Sequence, residues 1–296
     1  MTAKKIGLIG VGLMGHGIAT NIVKHGYSLS FLEHPGNQPT DALKAAGARS
    51  HARGRDLAAE VDVLLLCVTG SPQVEDALLS DGGVLQGMRP GTVIIDCSTA
   101  IPESTERLAA LVHEAHGLFI DAAMTRTPKE AAEGRLNLLI GGDADVIAEC
   151  RPLLSCFAEN ITHVGPVGSG HRMKLLHNYV SLGSVALIAE AAACAERAGV
   201  APEIFIQVLS QGGGAGTALE RLKPFLLSRD PKGLQFTVSN AFKDIGYYVA
   251  SAQASGAALA IAKGVHETLE SALQQKPSAL MPELAEILVN AKAGDK

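Results

Sequence analysis

The sequence predicts a two-domain α/β protein, with a mostly parallel sheet followed by an all-α domain. Short apolar strands alternate with helical patterns up to about residue 165, and no strand pattern follows Gly168. A long helical pattern begins there and continues without proline until Gly199. Near-continuous apolar strands separated by helices are typical of a parallel sheet covered on both faces. We therefore expect domains at residues 1–165 and 166–296, both of ordinary size.

Composition limits the class of partner. The 296 residues carry a formal net charge of −5 and no cluster of Lys and Arg, so nucleic acid is not an expected partner. The five cysteines form no C-x-x-C pair, which is typical of reduced core residues in a cytoplasmic protein. Glycines interrupt the apolar N-terminal segment, so we expect no signal peptide, and no membrane partner because no bilayer-length apolar run follows.

The first predicted strand, Ile6–Ile9, is followed at once by a G-x-G-x-x-G motif and a helical pattern from about Met14 to Lys24. The first glycine permits a tight turn, the second lets the backbone approach a pyrophosphate, and the third brings helix and strand together. The helix N-terminus offers free N–H groups to the anion. The expected dinucleotide-binding residues of this loop are Gly10, Gly12, Leu13, Met14 and Gly15.

A second predicted strand, Tyr27–Leu32, ends in Glu33, which lies 18 residues beyond Gly15. An acidic side chain at this point can accept hydrogen bonds from the adenosine ribose and would repel a 2′-phosphate. No arginine lies beside it in the sequence, so NAD is favoured over NADP. The simpler alternative is a glycine turn followed by a solvated glutamate.

The α/β alternation then continues through four more predicted strands: Val61–Val68, Thr92–Cys97, Leu118–Asp121 and Leu138–Ile140. Open α/β sheets bind ligands at the carboxyl ends of their strands. Val68, Thr69 and Thr99 lie at such ends, so we expect them to contact the cofactor. The Thr99 hydroxyl could reach the nicotinamide end or cap the following helix, and both could hold.

The second domain begins with the long helical pattern. About 28 residues at 1.5 Å each give roughly 42 Å of helix, long enough to cross a domain boundary. Its alanine-rich second half suits close helix packing, so a homodimer or homotetramer is expected, although alanine is also simply a good helix former. The predicted helices are at about 172–198, 202–210, 216–228 and 236–255, with more toward the C-terminus.

Three polar residues share one face near the start of this helix. Lys174 and Asn178 are four residues apart, and Ser181 follows three residues later. An isolated K-x-x-x-N pattern is more simply a surface lysine beside an amide. The motifs that precede it favour a catalytic role.

These motifs together resemble the β-hydroxyacid dehydrogenases, a family that includes 3-hydroxyisobutyrate dehydrogenase, tartronate semialdehyde reductase and, more distantly, 6-phosphogluconate dehydrogenase. The resemblance covers essentially the whole chain and implies a Rossmann-type domain followed by an all-α domain. The matching motifs are the cofactor signature Ile6–Gly15, the substrate segment starting at Asp121–Thr125, the catalytic motif Gly168–Gly170 with Lys174 and Asn178, and the late motif Phe236 with Lys243-Asp244.

The resemblance implies an NAD(P)-dependent oxidoreductase that interconverts a small anionic 3-hydroxy acid and its semialdehyde. Lys174 would be the general acid/base, which requires partial desolvation or a nearby cation. Asn178 would hold the substrate, and Lys243 with Thr99 would contact the nicotinamide half of the cofactor. The implied substrate-binding residues are Thr125, Arg126, Thr127, His177, Ser181, Phe236 and Asp244.

The substrate segment departs from the common family pattern. Most members continue it as serine-glycine-glycine, whereas this chain has Thr125-Arg126-Thr127. An arginine there could bind an anion with its planar fork of donors. This version of the segment resembles that of the sulfolactaldehyde reductases, which implies that it binds a sulfonate. His177 stands where those reductases have a second asparagine, and a dicarboxylate or a sugar acid such as threonate would also suit the arginine. The structural alternative is a salt bridge to a nearby acidic residue such as Glu130 or Glu133.

Three rival functions remain. The first is imine reduction on the same scaffold. Relatives that reduce imines generally lack the lysine, so Lys174 argues against this function. Some relatives have lost that lysine and act as non-catalytic dinucleotide-binding interaction modules, and Lys174 with Asn178 argues against this too. A metal-dependent enzyme has little support, because the ten histidines form no helical ligand pair with acidic partners.

Overall fold

The structure is a computed structural model that describes residues 4–291, which leaves residues 1–3 and 292–296 of the two predicted domains outside the described range. The chain divides into two units between Lys174 and Leu175. Residues 4–174 of unit 1 contain eight strands: β1 (Ile6–Ile9), β2 (Leu29–Leu32), β3 (Arg49–His51), β4 (Val63–Leu66), β5 (Val93–Asp96), β6 (Leu118–Thr125), β7 (Leu136–Gly141) and β8 (Ala158–Gly165).

The strands form one sheet in the order β3-β2-β1-β4-β5-β6-β7-β8. All neighbours are parallel except β6 and β7, which are antiparallel. The mostly parallel sheet is therefore confirmed. The sequence analysis missed β3 and β8 because these two edge strands are short or largely exposed and carry polar residues in place of an apolar run.

In the described part of unit 1, seven α-helices accompany the sheet: α1 (Leu13–Lys24), α2 (Asp41–Ala45), α3 (Gly54–Ala58), α4 (Ser71–Leu79), α5 (Pro102–Glu114), α6 (Pro128–Glu133) and α7 (Ala144–Leu154). Successive strand residues point to opposite faces, so β4 supplies two apolar cores. Leu65 packs in the core that contains Ile18 of α1, whereas Leu64 packs in the core that contains Leu78 of α4. Both faces of the sheet are covered, as the apolar strands predict.

The long predicted helix is α8 (Ser169–Arg197). By length and composition alone it could cross a membrane, a test that the core helix of a globular protein also passes. Leu182, Val185 and Ala189 of α8 pack in the apolar core of unit 2. Within residues 175–291 the secondary structure is helical apart from one isolated bridge. The other α-helices are α9 (Pro202–Ser210), α10 (Thr217–Ser228), α11 (Val238–Ala254), α12 (Ala260–Gln275) and α13 (Leu284–Asn290).

Candidate functional site

The glycine loop between β1 and α1 has the steric properties that a dinucleotide requires. Gly10 has φ +96°, and a Cβ there would lie 2.2 Å from the Cys67 carbonyl oxygen. A Cβ on Gly15 would lie 1.9 Å from the Gly10 carbonyl oxygen, so only glycine lets α1 approach β1 this closely. A Cβ on Gly12 would meet no atom within 4 Å. That open space beside the N-terminus of α1 suits the close approach of a pyrophosphate.

A pocket of about 390 Å³ lies at the carboxyl end of β2, with Glu33 in its lining. The exposed Glu33 carboxylate lies 3.1 Å from Lys44 Nζ of α2. The Ser50 hydroxyl and the Lys44 ammonium hold the pKa of Glu33 below its usual range. The cation beside Glu33 was not predicted, because Lys44 reaches Glu33 from the next helix and does not flank it in sequence.

The ends of β4 and β5 carry the other expected cofactor contacts. Val68 N donates to Ser98 Oγ at 3.1 Å, which joins the two strand ends. Thr69 is exposed and Thr99 is half-buried. Thr99 does not cap α5, since the N-cap residue of that helix is Ile101 and no side chain caps it. Of the two roles considered for the Thr99 hydroxyl, the cofactor contact is the one left open.

The substrate segment begins inside β6 and continues to the start of α6. Asn137 Nδ2 donates to Thr125 Oγ1 at 3.1 Å. Thr127 is the N-cap of α6 and forms a capping box with Glu130, whose Oε2 accepts from Thr127 N at 3.0 Å. Thr127 and Glu130 therefore fix the first turn of α6.

Arg126 lies between these two threonines and has φ +83°. Its Nη1 contacts the Glu159 carboxylate and the Arg135 carbonyl oxygen. The structural alternative of a salt bridge is thus observed, but the expected partners Glu130 and Glu133 were wrong. Glu130 is used in the capping box, and Glu133 lies 3.1 Å from Arg135. Glu159 was missed because it belongs to β8, a strand that the sequence did not predict.

A buried aspartate anchors the start of α8. Asp121 of β6 accepts hydrogen bonds from Gly168 N and His171 N, each at 2.7 Å. Burial raises the pKa of Asp121 above its usual range. The His171 imidazole is fully buried and its Nδ1 lies 2.7 Å from Thr105 Oγ1. These contacts fix the first turn of the helix that carries Lys174, which is half-buried one turn later.

Four of the expected site residues form one polar chain in unit 2. Asn178 Nδ2 donates to Asp244 Oδ2 at 2.7 Å, and both residues are buried. His177 Nδ1 lies 3.0 Å from Asn178 Oδ1, and Lys243 Nζ lies 3.1 Å from Asp244 Oδ1. The structure therefore brings together residues that are far apart in sequence, on α8 and α11.

The remaining expected residues of unit 2 are less closely connected. Ser181 is half-buried on α8. Phe236 is partly buried against the core, and its carbonyl oxygen accepts from Met281 N at 2.8 Å. The Tyr179 ring stacks on Tyr248 with 4.2 Å between centroids, a contact that the sequence analysis missed. Within residues 4–291 no three His, Cys, Asp or Glu side chains are grouped so as to hold a metal ion.

Two family models match the chain over consecutive segments. Residues 5–165 match the NAD binding domain of 6-phosphogluconate dehydrogenase. Residues 168–280 match the NAD-binding domain of NADP-dependent 3-hydroxyisobutyrate dehydrogenase. Together they include both the glycine loop and the polar chain on α8 and α11.

The chain is also similar to individual dehydrogenases over most of its length. An NAD-dependent L-serine dehydrogenase of Pseudomonas aeruginosa is 33% identical over 259 residues, which are 85% of this chain and 86% of that protein. A 2-(hydroxymethyl)glutarate dehydrogenase of Eubacterium barkeri is 30% identical over 246 residues, 82% of this chain and 80% of the relative. The structure of a Mycobacterium tuberculosis 3-hydroxyisobutyrate dehydrogenase with L-serine shares the fold, with a TM-score of 0.87, 24% identity and coverage of 98% and 100%.

Proposed function

The chain belongs to the β-hydroxyacid dehydrogenase family, and we propose that it interconverts a small anionic 3-hydroxy acid and its semialdehyde. It is an NAD(P)-dependent oxidoreductase that acts on hydroxyl donors. The observation that carries the substrate proposal is the polar chain His177–Asn178–Asp244–Lys243, which includes residues of the helix that bears Lys174. A buried, oriented amide and a lysine on one helix suit a hydroxyl group and its proton.

The cofactor would be held by the glycine loop, with its pyrophosphate at the open space beside Gly12 and its ribose near Glu33. We propose that Val68, Thr69, Thr99 and Lys243 contact the rest of the dinucleotide. When bound, the nicotinamide supplies the hydride acceptor or donor. Glu33 favours NAD, because a carboxylate repels a 2′-phosphate, and NADP is the alternative.

In this proposal, Lys174 Nζ takes the proton of the substrate hydroxyl during oxidation and returns it to the carbonyl oxygen during reduction. Asn178 holds the substrate, and the hydrogen bond from its Nδ2 to Asp244 fixes the orientation of the amide. Positioning of this kind contributes to rate by restricting the reacting groups to productive geometry.

For the substrate, the two curated relatives act on L-serine and 2-(hydroxymethyl)glutarate by name, and both of these molecules carry a primary hydroxyl and a carboxylate. We propose that the substrate of this protein is likewise a molecule with a primary hydroxyl and a carboxylate. Sulfolactaldehyde or a sugar acid such as threonate is the alternative that Arg126 favours. Thr125, Arg126, Thr127, His177, Ser181, Phe236 and Asp244 are the proposed substrate-binding residues.

The organisation of the protein is proposed on the same basis. Residues 1–165 would form the dinucleotide-binding domain and residues 166–296 the substrate and dimerisation domain. Exposed apolar side chains on α8, such as Val180 and Leu187, support a homodimer or homotetramer. The free cysteines suit a cytoplasmic location.

The test in the reductive direction is initial rates with NADH and NADPH against sulfolactaldehyde, tartronate semialdehyde, methylmalonate semialdehyde, succinic semialdehyde and glyoxylate. In the oxidative direction, L-serine and 3-hydroxyisobutyrate are tested with NAD⁺ and NADP⁺. The expected result is turnover of at least one hydroxy acid or semialdehyde that carries a carboxylate. Cofactor binding without turnover of any compound would instead leave a larger sugar acid as substrate, or a non-catalytic dinucleotide-binding module, against which Lys174 and Asn178 argue.

A further inference from the structure

The backbone of Arg126 is unusual for a residue with a side chain. Three residues other than glycine have positive φ within residues 4–291: His116 at +61°, Arg126 at +83° and Arg229 at +56°. Arg229 is the C-cap of α10, and His116 directly follows the C-cap of α5, where left-handed residues are common. Arg126 has no such helix end before it, because it lies between β6 and α6. Strain of this kind is typical of a functional position.

The partner of Arg126 lies at a second irregularity. Along β7 and β8, Leu136 pairs with Ala158, but the next pair is Asn137 with Asn160. Glu159 is therefore the extra residue of a bulge in β8. Bulges redirect a side chain and are frequent beside active sites. The redirected Glu159 carboxylate contacts Arg126 Nη1 and lies 3.8 Å from Arg135 Nε.

Among the described residues, the guanidinium of Arg126 makes its hydrogen bonds through one nitrogen. Nη1 donates both to Glu159 and to the Arg135 carbonyl oxygen. Within residues 4–291, Nε and Nη2 have no hydrogen-bond acceptor, and the side chain is 26% exposed. Two neighbouring N–H donors of one guanidinium are the fork that binds a carboxylate or a related oxyanion bidentately.

We propose that Glu159 is a positioning residue for substrate recognition. It holds Arg126 Nη1 so that the Nε–Nη2 edge receives the anionic group of the substrate, a carboxylate or a sulfonate. The inference rests on the proposed function. Holding a long side chain in one rotamer before binding removes part of the ordering cost that binding would otherwise carry. The Glu159 carboxylate also repels the incoming anion, so the sign of its effect on affinity is diagnostic.

The experiment is a double-mutant cycle with Glu159→Ala and Arg126→Ala. KM and kcat are measured for a 3-hydroxy carboxylate and for its uncharged methyl ester. Binding of the same acid to the enzyme–NADH complex, where it binds without turnover, is measured by calorimetry. Glu133→Ala is the matched control, since Glu133 lies 3.1 Å from Arg135 but Arg126 is held by Glu159.

Glu159→Ala should raise KM and Kd for the acid by about three- to tenfold, the size expected when one long side chain must be ordered on binding. The kcat of Glu159→Ala, and its KM for the ester, should change less than twofold. The KM and Kd of Glu133→Ala for the acid should also change less than twofold. Glu159→Ala should have no further effect when Arg126 is already alanine. Glu159→Gln, which keeps an acceptor at this position, should recover part of the affinity and guards against loss of fold.

Three results would overturn the proposal. Tighter acid binding in Glu159→Ala would mean that Glu159 competes for the guanidinium. An additive effect in the Arg126→Ala background would mean that it acts without the arginine, and equal losses for acid and ester would mean a general structural role. The calorimetric measurement needs no turnover. A wild-type protein that binds the acid without turning it over would therefore contradict the proposed function and leave the role of Glu159 testable by Kd.

Discussion

Asn178 Nδ2 donates a 2.7 Å hydrogen bond to Asp244 Oδ2, so an amide of α8 is fixed by a carboxylate of α11 inside unit 2. The other end of the same amide, Oδ1, lies 3.0 Å from His177 Nδ1. With partners at both ends, the amide cannot rotate without breaking a hydrogen bond in a buried setting, which is costly. Asn178 therefore has one defined orientation before any substrate arrives.

Asp244→Ala should lower the free energy of unfolding by about 2 kcal/mol, because it leaves a buried amide without its acceptor and removes the carboxylate beside Lys243. It should also lower kcat/KM, since Asn178 is no longer oriented. Urea unfolding and initial rates measure the two effects. Asp230→Ala removes an exposed carboxylate that accepts from Lys232 N at 3.0 Å, and serves as the control. Equal stability of the two variants would contradict the role of Asp244.

Lys174→Ala should reduce turnover by about 10²- to 10⁴-fold, the usual contribution of a general acid/base. Binding of NADH should remain within about twofold, because the glycine loop that would hold the pyrophosphate is on other elements. Single-turnover rates and NADH fluorescence separate the two effects. Lys129→Ala, at an exposed position of α6, is the matched control. Undiminished turnover in Lys174→Ala would remove the lysine from the proposed mechanism.

Gly12→Ala and Gly15→Ala should differ in kind. The added Cβ at Gly12 meets no protein atom within 4 Å, so the variant should keep the wild-type melting temperature. It should nevertheless bind NAD at least about tenfold more weakly, because the methyl group occupies the space left for the pyrophosphate. Gly15→Ala, whose Cβ lies 1.9 Å from the Gly10 carbonyl oxygen, should lower the melting temperature as well. Unchanged NAD affinity in Gly12→Ala would exclude the loop as the cofactor site.

Glu33→Gln should shift cofactor preference toward NADP by about tenfold, which corresponds to removal of about 1.4 kcal/mol of charge repulsion. Lys44→Met should shift it the opposite way, because the ammonium 3.1 Å from Glu33 attracts a 2′-phosphate. Calorimetric Kd values for NAD⁺ and NADP⁺ measure both changes without a substrate. Lys24→Met, at the last turn of α1, is the control lysine. If neither substitution changes the ratio of the Kd values for NAD⁺ and NADP⁺, the adenosine ribose does not bind beside Glu33.

Cysteine alkylation should follow burial. Desolvation, together with the neighbouring Asp96 carboxylate, raises the pKa of Cys67 from an ordinary value of 9.0 to about 12. At pH 8 iodoacetamide should therefore modify the exposed Cys194 first, and the half-buried Cys67 much more slowly because little of its thiol is ionised. As pH rises, the Cys67 thiol ionises in the unfolded chain before it ionises in the folded protein. The contribution of the protonated Cys67 thiol to folding stability is therefore full below about pH 9 and is lost toward pH 12. Mass spectrometry of a labelling time course measures the order, and labelling of Cys67 at the rate of Cys194 would contradict it.

Sequence alone predicted the elements that follow strong local patterns. Apolar runs and the glycine motif located β1, β4 and β5, and the absence of proline located α8 almost to its ends. Strands β3 and β8 escaped because an edge strand pairs on one side and need not be apolar. Their positions depend on pairing with β2 and β7, which is a property of the assembled sheet.

The candidate site shows the same division. Lys174, Asn178 and the glycines occupy motif positions, so resemblance could name them. Contacts between distant segments could not be named: Lys44 reaches Glu33 from α2, and Glu159 reaches Arg126 from a bulge. Even the buried Asp121 was assigned to the substrate segment, and its role in binding two N–H groups at the start of α8 emerged from the geometry.

The left-handed backbone at Arg126 has an evolutionary consequence. That backbone suits glycine, so exchange between arginine and glycine at this position leaves the path of the chain intact. Glycine and arginine codons differ by a single base. A lineage can therefore gain or lose a guanidinium in this segment by one point mutation, and anion preference can diversify among paralogues while the rest of the scaffold stays unaltered.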